Sequence, residues 1–360
     1  MLKSIPNPPS IVLLFVQIGT SMRQIAILAS TVIFFVACVP ANAEVIEYPF
    51  EAVTQEYYKM LLDRKFEDLD NAAAESRKNN LTISDGQPKL AAIYGGVAGC
   101  LSAGCNNRLH EADWQQRLQL LTEWRTKYPN SVTAEVAQAK VFLQHAYAIR
   151  GQGYANTVKN EAWPLFYKNI EAANLYLQRA STAAKQDPEW YATMLDVGVA
   201  QSWPQEKFNE IYLEGKKKAP SYLPLYFTAS AYFAPRWHGS VSDLHNFIDD
   251  VVVFTQPKLG KTMYARLNWS LWTDTMFTDG QTDWNQMKAG FERMTTDFPD
   301  SWNVNNFAKF ACLAQDGETV LKMEKVIGDH PIERAWWGSV ANYRGCVANA
   351  QSLMQRRVHR

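Results

Sequence analysis

Proline-centred breaks recur at near-constant spacing between stretches of helical periodicity. Lys127-Tyr128-Pro129-Asn130-Ser131, Gln186-Asp187-Pro188-Glu189-Trp190, Lys218-Ala219-Pro220-Ser221-Tyr222 and Asp297-Phe298-Pro299-Asp300-Ser301 follow one logic, and Asp329-His330-Pro331 is a looser fifth case. A helix ends in polar residues, proline blocks its continuation, and the same proline suits the first turn of the next helix. Asp187 and Ser301 are the expected N-caps, because a short side-chain oxygen can accept an unpaired first-turn N–H. Pro188 to Pro220 spans 32 residues, and Pro299 to Pro331 spans 32 again. That approaches the ~34-residue unit of tetratricopeptide helix pairs.

The intervals between the breaks carry the matching signal. Phe166, Ile170, Ala173, Leu177, Ala180 and Ala184 step by three and four, as do Val132, Val136, Ala139, Leu143 and Ala146, and Trp284, Met287, Phe291 and Met294. Such steps place apolar residues on one helix face. No β-hairpin signal appears, and the strand-like run Val251-Val252-Val253-Phe254 is expected to close a buried helix. The fold class expected is all-α: stacked helix pairs forming a degenerate tetratricopeptide-like repeat, or α-solenoid. Residues 44–109 form a helical head, with helices at Val53 to Leu62 and Phe66 to Ser76. A Gly-rich passage follows, from Ile93-Tyr94-Gly95-Gly96 to Gly104-Cys105-Asn106-Asn107. Residues 110–360 are the repeat region, continuous with the head.

Residues 1–43 read as a signal peptide with its true start at Met22. Met22-Arg23 gives a positive beginning, Ile25 to Val39 an apolar run, and Ala41-Asn42-Ala43 small residues before a cleavage point. The expected location is therefore exported and periplasmic. A lipid anchor at Cys38 is the second reading, which would make an anchored envelope protein, although Phe35 stands where a lipoprotein box has an aliphatic residue. No integral span is expected in the mature chain. Of five cysteines, Cys38 leaves with the signal and Cys100, Cys105, Cys312 and Cys346 remain. In an oxidising compartment these suggest two bridges, Cys100 to Cys105 and Cys312 to Cys346. Cleavage removes Lys3 and Arg23 from 36 basic residues and nothing from the 36 acidic ones, leaving a net charge of about −2. That balance argues against a nucleic-acid or anionic-lipid surface.

Several short motifs occur in a telling order. They are Lys65-Phe66-Glu67-Asp68-Leu69, Arg150-Gly151-Gln152-Gly153-Tyr154, Asp187-Pro188-Glu189-Trp190-Tyr191, Tyr222-Leu223-Pro224-Leu225-Tyr226-Phe227 and Pro235-Arg236-Trp237-His238-Gly239-Ser240. Their combination and order resemble a bacterial family of tetratricopeptide-like helical proteins catalogued only as a domain of unknown function (number 4034). The resemblance spans most of residues 55–315. It implies a helical repeat fold with no assigned activity and supplies no catalytic residues.

Two loops are candidate binding sites. Around Arg150, Gly151, Gly153 and Tyr154, the glycines would let backbone N–H groups meet an anion or a peptide carbonyl; a plain helix end with Gly151 as its cap explains them equally. At Arg236, Trp237 and His238, a guanidinium could clamp a carboxylate and an indole could stack on a ring. There, too, a structural reading competes: Ser240 and Asp243 form a capping box, and Trp237 plugs the core. The crowd of Trp269, Trp272, Trp302, Trp336 and Trp337 is read as core. Metalloprotease and serine-hydrolase motifs are absent, the six histidines are scattered, and no cofactor or metal is expected. Asp274, Asp279 and Asp283 are the best carboxylate grouping, read first as a polar loop with a helix cap. The leading functional expectation is a binding or scaffolding module for a peptide or protein partner. The alternative is an all-helical enzyme acting on cell-wall glycan, which needs two carboxylates facing across a pocket.

Overall fold

The computed structural model describes residues 48–99 and 110–358, except 152, 154, 257, 272, 274 and 279. Fifteen α-helices account for most of them: α1 (Pro49–Leu62), α2 (Phe66–Asn79), α3 (Lys89–Ala98), α4 (Glu111–Lys127), α5 (Val132–Arg150), α6 (Ala162–Gln178), α7 (Pro188–Ala200), α8 (Gln205–Lys218), α9 (Leu223–Phe233), α10 (Val241–Thr255), α11 (Lys261–Ser270), α12 (Trp284–Asp297), α13 (Ser301–Leu313), α14 (Gly317–Ile327) and α15 (Val340–Val358). Among the described residues there is no strand, only an isolated bridge between Thr82 and Pro88. The chain is all-α. The signal region, Cys38, Cys100 and Cys105 lie outside the described residues.

The proline breaks sit where sequence places them, and short side chains close the helix starts. Ser131, Asp187, Ser240, Asp283 and Asp316 each accept first-turn N–H groups, and Ser240 forms a full capping box with Asp243. Helix α13 differs from expectation by one residue. Asp300 is its cap, accepting from the Trp302 N–H at 2.8 Å, so that Ser301 becomes the first helical residue. The run at Val251 to Phe254 does end a helix, but only Val251 is buried there; Val253 and Phe254 face outward.

Packing arranges these helices in two rows. Helices α5, α7, α9 and α11 touch one another in succession, whereas α6, α8, α10 and α12 each wedge between their flanking helices. The row α5, α7, α9 and α11, whose members touch directly, is called the inner row below. Aromatic side chains fill the space between rows: Phe208 stacks on Tyr232 at 3.9 Å, and Phe291 on Phe307 at 5.2 Å. Trp114, Trp124 and Trp336 are buried, while Trp337 stays partly exposed. A disulfide joins Cys312 of α13 to Cys346 of α15 across a Cα–Cα distance of 5.8 Å, within the range a bridge tolerates.

The Gly-rich passage begins inside a helix. Gly95 and Gly96 lie inside α3, which packs closely on α1. A Cβ on Gly96 would lie 2.6 Å from both the Thr54 carbonyl oxygen and Tyr57 Cβ, so absence of a side chain outweighs the glycine helix penalty. Gly96→Ala is expected to lower stability by about 1–3 kcal/mol through overpacking. Gly345 is the control: it lies within α15 with nothing near its missing Cβ, and Gly345→Ala should raise stability by up to about 1 kcal/mol. Urea midpoints of both variants check the pair, and equal shifts would contradict the close-approach explanation.

The head does not merely precede the stack; it reaches across to the last helices. Asp85 offers its backbone carbonyl to Arg266 Nη2 of α11 and to Asn303 Nδ2 of α13, each at 3.1 Å. Tyr48 packs on Trp302 with ring centroids 4.4 Å apart, and Glu51 pairs with Arg334. Gly86, at φ 82°, fits against Phe298, where a Cβ would lie 2.5 Å from the ring. Residues separated by more than 180 positions thus meet, and the inner row is partly covered by the chain's own N-terminal segment.

Candidate functional site

Four helices meet at a buried polar hub under the head. Asp187, which caps α7 by accepting from the Glu189 N–H, also accepts from Arg77 Nε of α2 at 2.5 Å and from the Tyr94 hydroxyl of α3 at 2.7 Å. Arg77 further donates to Thr133 Oγ1 of α5 at 2.7 Å. Two residues on, in the first turn of α7, Glu189 pairs with Lys140 of α5 and accepts from the Tyr222 hydroxyl at the start of α9. Burial would by itself lower the Lys140 ammonium, but the charges of Glu189 and Asp196 hold it above its usual value. Burial and the neighbouring Glu189 carboxylate drive the Tyr222 hydroxyl well up, so it stays a proton donor.

Beside this hub lies a cavity of about 200 Å³. Its head-side wall comes from Phe50, Pro88, Ala91 and Gly95; its inner-row wall comes from Lys140, Gln144, Glu189, Pro224 and Phe227. Apolar walls carrying a few convergent polar groups are what small binding sites offer. On α5, Lys140, Gln144, Tyr147 and Arg150 follow at steps of four, three and three, so they share one face that leads away from the cavity. On α7, Glu189 and Asp196 are seven apart and also share a face. Asp196 accepts from Thr228 Oγ1 of α9 at 3.0 Å. Burial pushes its carboxyl up to about 6, with Glu189 adding to the rise and Lys140 and Thr228 opposing it.

The far end of that face is where the two sequence candidates converge. The Arg150 guanidinium carbon lies 5.5 Å from the Trp237 ring centroid and 5.8 Å from that of Trp163. Arg150 Nη1 also donates to the carbonyls of Gly151 and Gly153 at 3.0 and 3.1 Å. Gly151 caps α5 at φ 74°, a conformation that favours glycine. Arg150 therefore holds its own loop and carries Trp237 beside it. Arg236 is exposed. His238 sits just before α10, its ring 4.8 Å from Tyr232 and its Nε2 3.3 Å from the Val199 carbonyl. Tyr154, Asp274 and Asp279 lie outside the described residues, and Asp283 caps α12.

Sequence reasoning passed over Lys140, Gln144, Glu189 and Asp196. A signal existed: two carboxylates seven apart, Glu189 just ahead of the mainly apolar Trp190–Val199 run and Asp196 within it, and a lysine amid Ala139, Val141 and Leu143. Among the described residues no group of three or more His, Cys, Asp or Glu is placed to hold a metal ion. No helix there is long and apolar enough to cross a membrane. Comparison with known proteins returned no matching family model, no matching curated protein and no matching solved structure.

Proposed function

We propose that this chain is an exported, periplasmic helical-repeat binding protein that holds a peptide segment of a partner protein along the inner faces of α5, α7 and α9. The observation that carries the reading is the cavity between head and inner row, where Phe50, Pro224 and Phe227 surround the Lys140–Glu189 pair and the Gln144 amide. The face running from there to Arg150 and Trp237 gives an extended segment room to lie across successive helices, as stacked repeats commonly allow. The Cys312–Cys346 bridge fits an oxidising compartment. The resemblance to the helical family of unknown function (number 4034) belongs to the same proposal.

Crosslinking of the mature chain, residues 44–360, in its own envelope extract tests this beside a Gln144→Ala/Phe227→Ala variant. The expected result is a peptide joined to inner-row residues in the wild type and lost in the variant, with unchanged circular dichroism. Identical crosslinks in both chains would overturn the assigned face. Release of fragments from cell-wall glycan would favour the enzyme reading instead.

A further inference from the structure

We propose that the segment held on the inner row is basic, and that a lysine or arginine side chain of the bound peptide pairs with Asp196. This deepens the binding reading and rests on it.

The argument begins with a charge inventory. Along the faces of α5 and α7 that lead from the cavity stand the carboxylates of Glu189 and Asp196 and the ammonium of Lys140. Lys140 is committed to Glu189, at a site where both side chains are largely buried. Arg150, the next cation on the α5 face, is spent on the carbonyls of Gly151 and Gly153 and stacked near Trp163 and Trp237. Two carboxylates thus share one ammonium. The raised carboxyl of Asp196 is the electrostatic consequence of burial with too little compensation.

A second observation is independent of that count. Among the described residues Asp196 receives a single hydrogen bond, from the Thr228 hydroxyl, and a carboxylate has room for several. The half-buried Gln144 amide and the Tyr147 hydroxyl, three residues apart on the same face of α5, make no hydrogen bond to another described residue. Tyr147 is near enough to Asp196 for the carboxylate's charge to add to the rise that burial imposes on its hydroxyl. A carboxylate with one partner, on a face that carries one more acid than base, matches the donors of an ammonium or guanidinium. Phe227, next to Thr228 in α9, lines the neighbouring cavity and offers an apolar wall of the kind that long basic side chains use for their methylene stems. An acidic or neutral segment would leave Asp196 unpaired and bring nothing to offset its desolvation.

The groups facing Asp196 are Lys140 and Tyr147 from α5, Glu189 from its own helix and Thr228 from α9. Asp196 is pushed up to about 6, so binding of a basic segment should weaken as pH falls from 7.5 to 5.

A phage-displayed random decapeptide library, panned against the mature chain and its Asp196→Asn variant in parallel, tests the proposal. Enriched peptides should carry Lys or Arg at one fixed position. Replacing that residue by Gln should weaken binding to the wild type by about tenfold or more, the scale of a partly buried charge pair. In Asp196→Asn the same replacement should change affinity less than about twofold, because the charge being read is gone. Thermal melts confirm that the variant folds, and Asp196→Glu should restore much of the preference. Peptides enriched without a basic position, or a basic preference that persists in Asp196→Asn, would overturn the inference while leaving the binding reading intact. No enrichment from either chain would overturn both. Free cadaverine competing as well as the decapeptide would assign the site to small amines rather than a peptide side chain.

Discussion

Replacing Asp187 by alanine is expected to lower the stability of the chain by about 4–5 kcal/mol. Most of that comes from leaving the Arg77 guanidinium inside the protein without its partner, since breaking a buried pair from one side costs about 3–5 kcal/mol. The Asp187 side chain is 0 % exposed and that of Arg77 only 19 %. A further share of about 1 kcal/mol comes from the lost cap of α7. The Tyr94 hydroxyl loses its acceptor as well. Asp187→Asn should lose distinctly less, because the amide oxygen can still cap and accept. Removing both charges together, as Arg77→Met with Asp187→Asn, should recover part of the loss, which is the sign of a pair rather than two separate contributions. Urea unfolding followed by circular dichroism reads these values. A loss below about 1 kcal/mol for Asp187→Ala would show that Arg77 finds another acceptor and that the hub does not hold α2, α3, α5 and α7 together.

The second large effect is expected at the other end of the molecule. Cys312→Ser with Cys346→Ser should destabilise by about 3–4 kcal/mol, the loop-closure value for a bridge of this span. The bridge closes 34 residues and ties α13 to α15. Addition of reductant to the wild type should lower its melting point to that of the double variant and leave the variant unchanged. Hydrogen exchange should show lost protection in α14 and α15 with α5 and α7 unaffected, because α15 packs on α13, α14 and the turn Glu333–Trp336 alone among the strongest contacts. Equal melting points with and without reductant would mean that the bridge contributes nothing to holding the last helices.

The helices were legible because their signals are local. Proline after a polar helix end, Asp187 and Ser240 ahead of first turns, and apolar residues at steps of three and four each act within a few residues. The cap at α13 was misplaced by one position for a related reason: Asp300 and Ser301 both qualify locally, and only backbone geometry chooses between them. The Cys312–Cys346 pairing was legible from residue type and count. The reason for Gly96 was not legible because it lies in α1, about forty residues earlier, where Thr54 and Tyr57 leave no space for a Cβ.

Sequence by itself determined that this chain is helical and where its proline-marked helices break; of the tryptophans it assigned to the core, Trp336 is buried but Trp337 is exposed. Tertiary structure alone decided which polar residues face one another. Lys140 and Glu189 are 49 positions apart, and Arg77 and Asp187 are 110 apart. Their meeting depends on the offset between stacked helices, to which no local pattern is sensitive. The same holds for the head, whose Asp85 turn docks on Arg266 and Asn303. Periodicity tells which face of a helix is apolar, but the partner of a buried charge is chosen by distance in space, because desolvation penalises any charge left without an opposite one nearby.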